Sequence, residues 1–102
     1  MIAIFHDSDA EYTAWLLDHP RGYVINTRSS YSPSYMVLHR GSCATVNPSS
    51  SSSEPGAFTE RDYIKLCSTD LGALERLASA LGRENSSFSG ECTKCAPRDE
   101  QV

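Results

Sequence analysis

The feature that most constrains this chain is the placement of its four cysteines within 102 residues. Cys92 and Cys95 have two residues between them, and Cys43 follows His39 with three residues between them. A Cys-x2-Cys pair offers both sulfurs to one ion from a single tight turn, and Gly90 just before it is expected to permit that turn. His39-Arg-Gly-Ser-Cys43 supplies the other half, an imidazole at a strand end followed by a thiolate, with Gly41 between them to let the backbone turn. Three thiolates and one imidazole make a closed set for tetrahedral zinc with no open position. The spacing therefore predicts one structural Zn2+ held by His39, Cys43, Cys92 and Cys95. Cys67 is the competitor: an all-cysteine set through it would leave His39 as an ordinary surface residue. Redox motifs share the Cys-x2-Cys spacing, but they open a helix after a strand, whereas this pair follows a helix.

A metal also answers a question of size. The five serines Ser49–Ser53 and the polar C-terminus add nothing to a core. What remains is about 80 residues, a length at which a metal or disulfides often supplement the hydrophobic interior. With 39% hydrophobic and 22% charged residues, the composition fits a soluble globular chain. No apolar run approaches the roughly 18 residues that span a bilayer. Met1–Phe5 is apolar, yet it lacks a basic flank and is cut short by His6 and Asp7, so it does not read as a signal peptide. These features predict a cytoplasmic protein, where disulfides are rare and clustered cysteines more often mean metal.

The hydrophobic pattern predicts an α+β fold. Ser8-Asp-Ala-Glu11 is a capping box opening a helix to about His19, with Pro20 and Gly22 ending it. Tyr12, Trp15, Leu16 and His19 fall on one face of that helix. Tyr23–Thr27 and Tyr35–His39 read as strands joined by the turn-rich segment 28–34, an expected antiparallel hairpin. Tyr63–Cys67 alternates and reads as a third strand. Ser68-Thr-Asp70 then caps a second helix with an apolar stripe at Leu71, Leu74, Leu77, Ala78 and Leu81, ended by Gly82. Residues 2–5 are a short strand or an apolar strap, and residues 83–91 a polar loop. The expected whole is a small single domain over residues 1–97: a three-stranded, mostly antiparallel sheet, two helices and a C-terminal CxxC zinc knuckle. A flexible serine-rich loop spans 47–57, and 98–102 is a disordered tail.

The order His39-x3-Cys43, a strand and a helix, then Cys92-x2-Cys95-Ala-Pro97 resembles the metal-binding domain of the Ada-type DNA-repair methyltransferases. The resemblance covers about Tyr35 to Pro97. In that family a Cys-x3-Cys pair, a strand, a helix and a Cys-x2-Cys pair bind one zinc, and the first cysteine accepts a methyl group from a DNA phosphotriester. This chain carries His39 at that position. An imidazole is a far poorer nucleophile than a zinc-bound thiolate, so the resemblance implies a structural site, possible DNA contact and no methyl-acceptor activity.

Net charge is −4, which argues against a general electrostatic grip on nucleic acid. The charge is uneven, however: residues 19–53 hold Arg21, Arg28 and Arg40 and no acid. Within that stretch Arg28, Tyr31, Tyr35 and Arg40, joined by Lys94 from the knuckle, are of the types that hold phosphates and stack on bases. They are the candidate DNA- or RNA-binding residues. The same residues would suit a protein interface, where Tyr and Arg are enriched. No nucleophilic triad, phosphate-cradling loop or His-Glu-x-x-His motif is present, so the sequence predicts neither catalysis nor a small-molecule substrate.

Overall fold

The computed structural model describes residues 2–47, 58–60, 62–83 and 88–97. Along the chain run β1 (Ala3–Phe5), α1 (Asp9–Asp18), β2 (Tyr23–Arg28), β3 (Met36–Arg40), β4 (Tyr63–Ser68), α2 (Leu71–Ala80) and β5 (Gly90–Glu91). They build a small α+β fold around one sheet in the order β1-β4-β2-β3-β5. Three pairings are antiparallel, and β3–β5 is parallel. Among the described residues the sheet thus has five strands and is mixed, where the sequence pattern predicts three. The core strands are where they were expected. The additions are the two edges: Ala3–Phe5 pairs with β4, and Gly90–Glu91, expected as loop, pairs with β3.

Alternation along the strands splits the apolar side chains between two faces. Ile25, Met36, Leu38, Ile64 and Leu66 face α2 and pack on Leu74, Ala78 and Phe88. Val24 and Cys67 face the other way and pack with Tyr12 and Leu16 of α1, and with Cys43, Val46 and Phe58. The helices therefore cover opposite faces. The expected aromatic side of α1 is borne out: Tyr12 and Leu16 are buried, Trp15 packs beside them, and His19 stacks on Trp15 at 4.4 Å.

Capping follows the sequence only in part. Ser8 Oγ accepts from the Glu11 amide, one arm of the expected box, but the Ser8 amide donates to Thr59 Oγ1 instead of Glu11. Residues 58–60 are clamped onto the start of α1, where the Asp9 carboxylate accepts from Thr59 N, Thr59 Oγ1 and Phe58 N. Asp70 caps α2 without a side-chain bond, and Gly82, at φ +117°, turns the chain out of it in the left-handed region glycine favours. Most of the expected serine-rich loop, and the C-terminal tail, lie outside the described residues. Asn47, the first residue of that loop, is held by its side chain to Gly41 O at 2.9 Å. Among the described residues no helix is long and apolar enough to cross a membrane.

Candidate metal centre

Strand register assembles the site. His39 is the penultimate residue of β3; it lies opposite Val24, which in turn lies opposite Cys67, so its side chain is on the α1 face. The Cys43 amide then bonds Arg40 O at 3.0 Å in a tight turn that returns Cys43 toward the same face. Gly41 serves this turn by close approach: a Cβ there would stand 3.1 Å from Leu16 Cδ2 and 3.2 Å from Gly22 O.

The second half is delivered by β5. Pairing of Val37 with Gly90 and Leu38 with Glu91 brings Cys92 abreast of His39, and the Cys92 amide donates to Leu38 O at 2.9 Å. The knuckle closes with the Ala96 amide on Cys92 O at 3.0 Å. Gly90 contributes no special turn: it is a strand residue whose Cβ position meets open space.

The result is the predicted constellation. Donor atoms of His39, Cys43, Cys92 and Cys95 all lie within 4.8 Å of one another, with His39 and Cys43 buried and the other two half-buried. Cys43 Sγ and Cys92 Sγ are 3.9 Å apart. Zinc–sulfur bonds of about 2.3 Å in a tetrahedron put sulfurs roughly 3.8 Å apart, so this pair already has the right separation. His39 Nδ1 is buried with no hydrogen-bond partner, a costly state that a ligand bond to a metal would relieve. Burial, aided by the positive charge of Lys65, pulls the His39 pKa down to about 4 and keeps the ring neutral, the form that ligates.

Fixed amides are arranged for thiolates. Burial pushes the Cys92 thiol up, but backbone donors at Cys95 and Lys94 and its thiol neighbours outweigh it, and the net shift is down. Burial carries Cys95 up to about 12, opposed by the Arg40 amide, which donates to Cys95 Sγ at 3.3 Å. Three soft sulfurs and one imidazole converging on one point, with backbone N–H groups aimed at Cys92 and Cys95, suit a thiophilic metal.

Cys67 does not join this group. It is wholly buried in β4 among Tyr12, Val24 and Phe58, and burial drives its thiol pKa far upward. An all-cysteine site is not what the fold brings together.

The candidate nucleic-acid residues separate into two groups. Arg28 and Tyr35 lie at the turn end of the β2–β3 hairpin, with the Arg28 guanidinium over the Tyr35 ring at 5.6 Å and the Tyr63 ring at 5.4 Å. Tyr31, at φ 58°, is 38% exposed in the same turn. Arg40 is at the other end, paired with Tyr23, and four residues of strand span roughly 13 Å. Its guanidinium is turned onto the knuckle, donating to Cys95 O at 3.0 Å and Ala96 O at 3.2 Å. Lys94 is exposed on the knuckle. The five candidate residues therefore do not form one patch: Arg28, Tyr31 and Tyr35 lie at one end of the hairpin, Arg40 and Lys94 at the other.

Two further residues matter here: Lys65, which pattern reasoning passed over, and Tyr12, expected on the packed side of α1. Lys65 is buried at 3% exposure, its ammonium donating to Phe58 O at 2.6 Å and Asn26 Oδ1 at 2.8 Å. Tyr12 donates its hydroxyl to Val46 O and so anchors the segment that follows Cys43. Alternation in β4 places Lys65 with Cys67 on the sheet face that α1 covers, which was the available signal.

Compared with family models, curated proteins and solved structures, the chain matches none. The likeness to Ada-type domains therefore rests on ligand spacing and element order alone.

Proposed function

We propose that this chain is a small zinc-stabilised binding domain, in which one ion held by His39, Cys43, Cys92 and Cys95 is structural. The observation that carries the reading is the convergence of those four donors, on an imidazole ring whose Nδ1 is buried without a partner. The ion would tie the β3 turn to the C-terminal knuckle across 49 residues from Cys43 to Cys92. All four ligand positions belong to the protein, so the reading assigns the centre no catalysis, and no methyl acceptance in particular. Three thiolate ligands require a reducing compartment, so a cytoplasmic location is part of it. Removing zinc with a chelator should cost the chain its cooperative unfolding transition, with recovery on adding zinc back. A chelated chain that still unfolds cooperatively at the same midpoint would contradict a structural role.

The partner we favour is nucleic acid, DNA or RNA, at the hairpin turn. Arg28 stacked on Tyr35 and Tyr63, with Tyr31 exposed beside them, supports this choice, since guanidinium and aromatic planes accept bases by stacking. A protein partner is the alternative. Labelled oligonucleotide binding separates them: phosphate contacts make affinity fall steeply between 50 and 200 mM salt (roughly tenfold or more for a few contacts), whereas an apolar interface is far less sensitive. R28A should weaken oligonucleotide binding without changing zinc content; binding unaffected by R28A would place the surface elsewhere.

A further inference from the structure

Arg40 reaches both halves of the centre. It directly follows the ligand His39, and its amide donates to Cys95 Sγ at 3.3 Å. Its guanidinium extends over the knuckle, with Nε on Cys95 O and a terminal nitrogen on Ala96 O. These carbonyls belong to the stretch where the knuckle is strained: Ala96 has φ 44°, in the left-handed region that a residue with a Cβ disfavours. Pro97 behind it is buried, so the chain cannot relax simply by swinging its end into water. A planar fork with two donors aimed at successive carbonyls fixes the orientation of both peptide groups, and thereby the direction of the Cys95 side chain.

We infer that the Arg40 side chain is a positioning residue for the metal centre, a clasp that holds the Cys92–Cys95 knuckle closed and sets how slowly the ion is released. The inference rests on the His39/Cys43/Cys92/Cys95 reading above. It reassigns a residue that looks, in the sequence, like a surface cation for phosphate. A ligand-orienting partner of this kind typically changes metal affinity by about 10–100-fold when removed. Lysine is a poor substitute, because one ammonium on a flexible stem cannot reproduce the two-carbonyl fork.

The test uses the full chain loaded with zinc and follows transfer of the ion to a chromogenic chelator, for wild type, R40A, R40K and R40A/A96G. Residue 40 keeps its backbone amide toward Cys95 Sγ in R40A and R40K, so those two variants test the guanidinium alone. Zinc should leave R40A about 10–100-fold faster, and R40K should side with R40A. A96G in the R40A background should slow release again by relieving the left-handed backbone. The cobalt-substituted R40A should keep the absorption bands of the wild-type ligand set, because all four donors remain. Release from R40A and R40K at the wild-type rate, with zinc bound tightly by wild type, would overturn the clasp and leave the metal reading intact. Wild type that binds no zinc would overturn both. Altered cobalt bands in R40A would show that a ligand had been lost, which also contradicts a role in positioning alone.

Discussion

Lys65 shows how much a single residue can ask of this fold. Its ammonium sits about 6 Å from the Tyr12 and Phe58 ring centres, at 6.0 and 5.9 Å, and its two hydrogen bonds go to neutral oxygens. Burial pulls its pKa down to about 8 from 10.5, although Asp9 and Cys67 pull the other way. The sign follows directly. Between those two values the unfolded chain binds more protons than the folded one, so the Lys65 contribution to stability rises with pH. Below pH 8 the full penalty of the buried charge is present, on the order of 3 kcal/mol, and it is relieved by about pH 10.5. Denaturant titrations of wild type and K65M from pH 7 to 10.5 should therefore show wild type gaining on the variant as pH rises. A pH-independent difference would mean that Lys65 is not charged and buried as described. At the same scale, His39 illustrates a residue whose role is decided by burial. A solvent-facing imidazole would titrate near neutrality, whereas this one stays neutral with a nitrogen in need of a partner.

At the scale of elements, what could be read from the sequence were the pieces with internal periodicity. The stripe Leu71-Leu74-Ala78 and the Ser8 cap gave both helices, and the β-branched and aromatic runs gave β2, β3 and β4 to within a residue or so. Of the two edges, β1 was legible only as one of two readings and β5 not at all, for a physical reason. Two residues, Gly90 and Glu91, cannot show alternation, and they become a strand only because β3 offers an open edge. The insertion of β4 between β1 and β2 is likewise a long-range pairing with no local signature. Ligand spacing, in contrast, pointed to the cluster that the fold assembles, because within each half-site, His39/Cys43 and Cys92/Cys95, local backbone keeps the two donors near one another. What spacing did not reveal was the carrier: β5 in register with β3, and an Arg40 that faces inward to the knuckle.

Glycines test the packing between α1 and the strands. A Cβ on Gly22 would fall 2.5 and 2.8 Å from two Trp15 ring carbons and 3.1 Å from His19 O, while one on Gly90 would touch nothing within 4 Å. G22A should thus destabilise by about 1–3 kcal/mol through overpacking, and G90A should stay within about 0.5 kcal/mol of wild type. Urea midpoints of the two variants give the comparison. Equal midpoints would contradict the close approach of Trp15 to Gly22.

For the whole molecule, the two covered faces of the sheet explain why a chain with a modest core needs a further tie. The buried α2 face is aliphatic apart from Met36 and Phe88, with Tyr23 packed against it, whereas the α1 face mixes Cys43, Cys67, Tyr12 and the Lys65 cage. The metal centre lies on this second, more polar face, where the strand end at His39 meets the knuckle. Closing it would join the residues after β3 to the segment after β5, so that the C-terminal edge of the sheet is held by four ligands as well as two backbone pairings. The central claim is that His39, and not Cys67, completes the ligand set. The most direct measurement is zinc per chain for wild type, H39A and C67S after dialysis against one fixed, competing chelator. Wild type and C67S should each retain one zinc while H39A loses it. Retention by H39A together with loss from C67S would contradict the account and move the centre to an all-cysteine set.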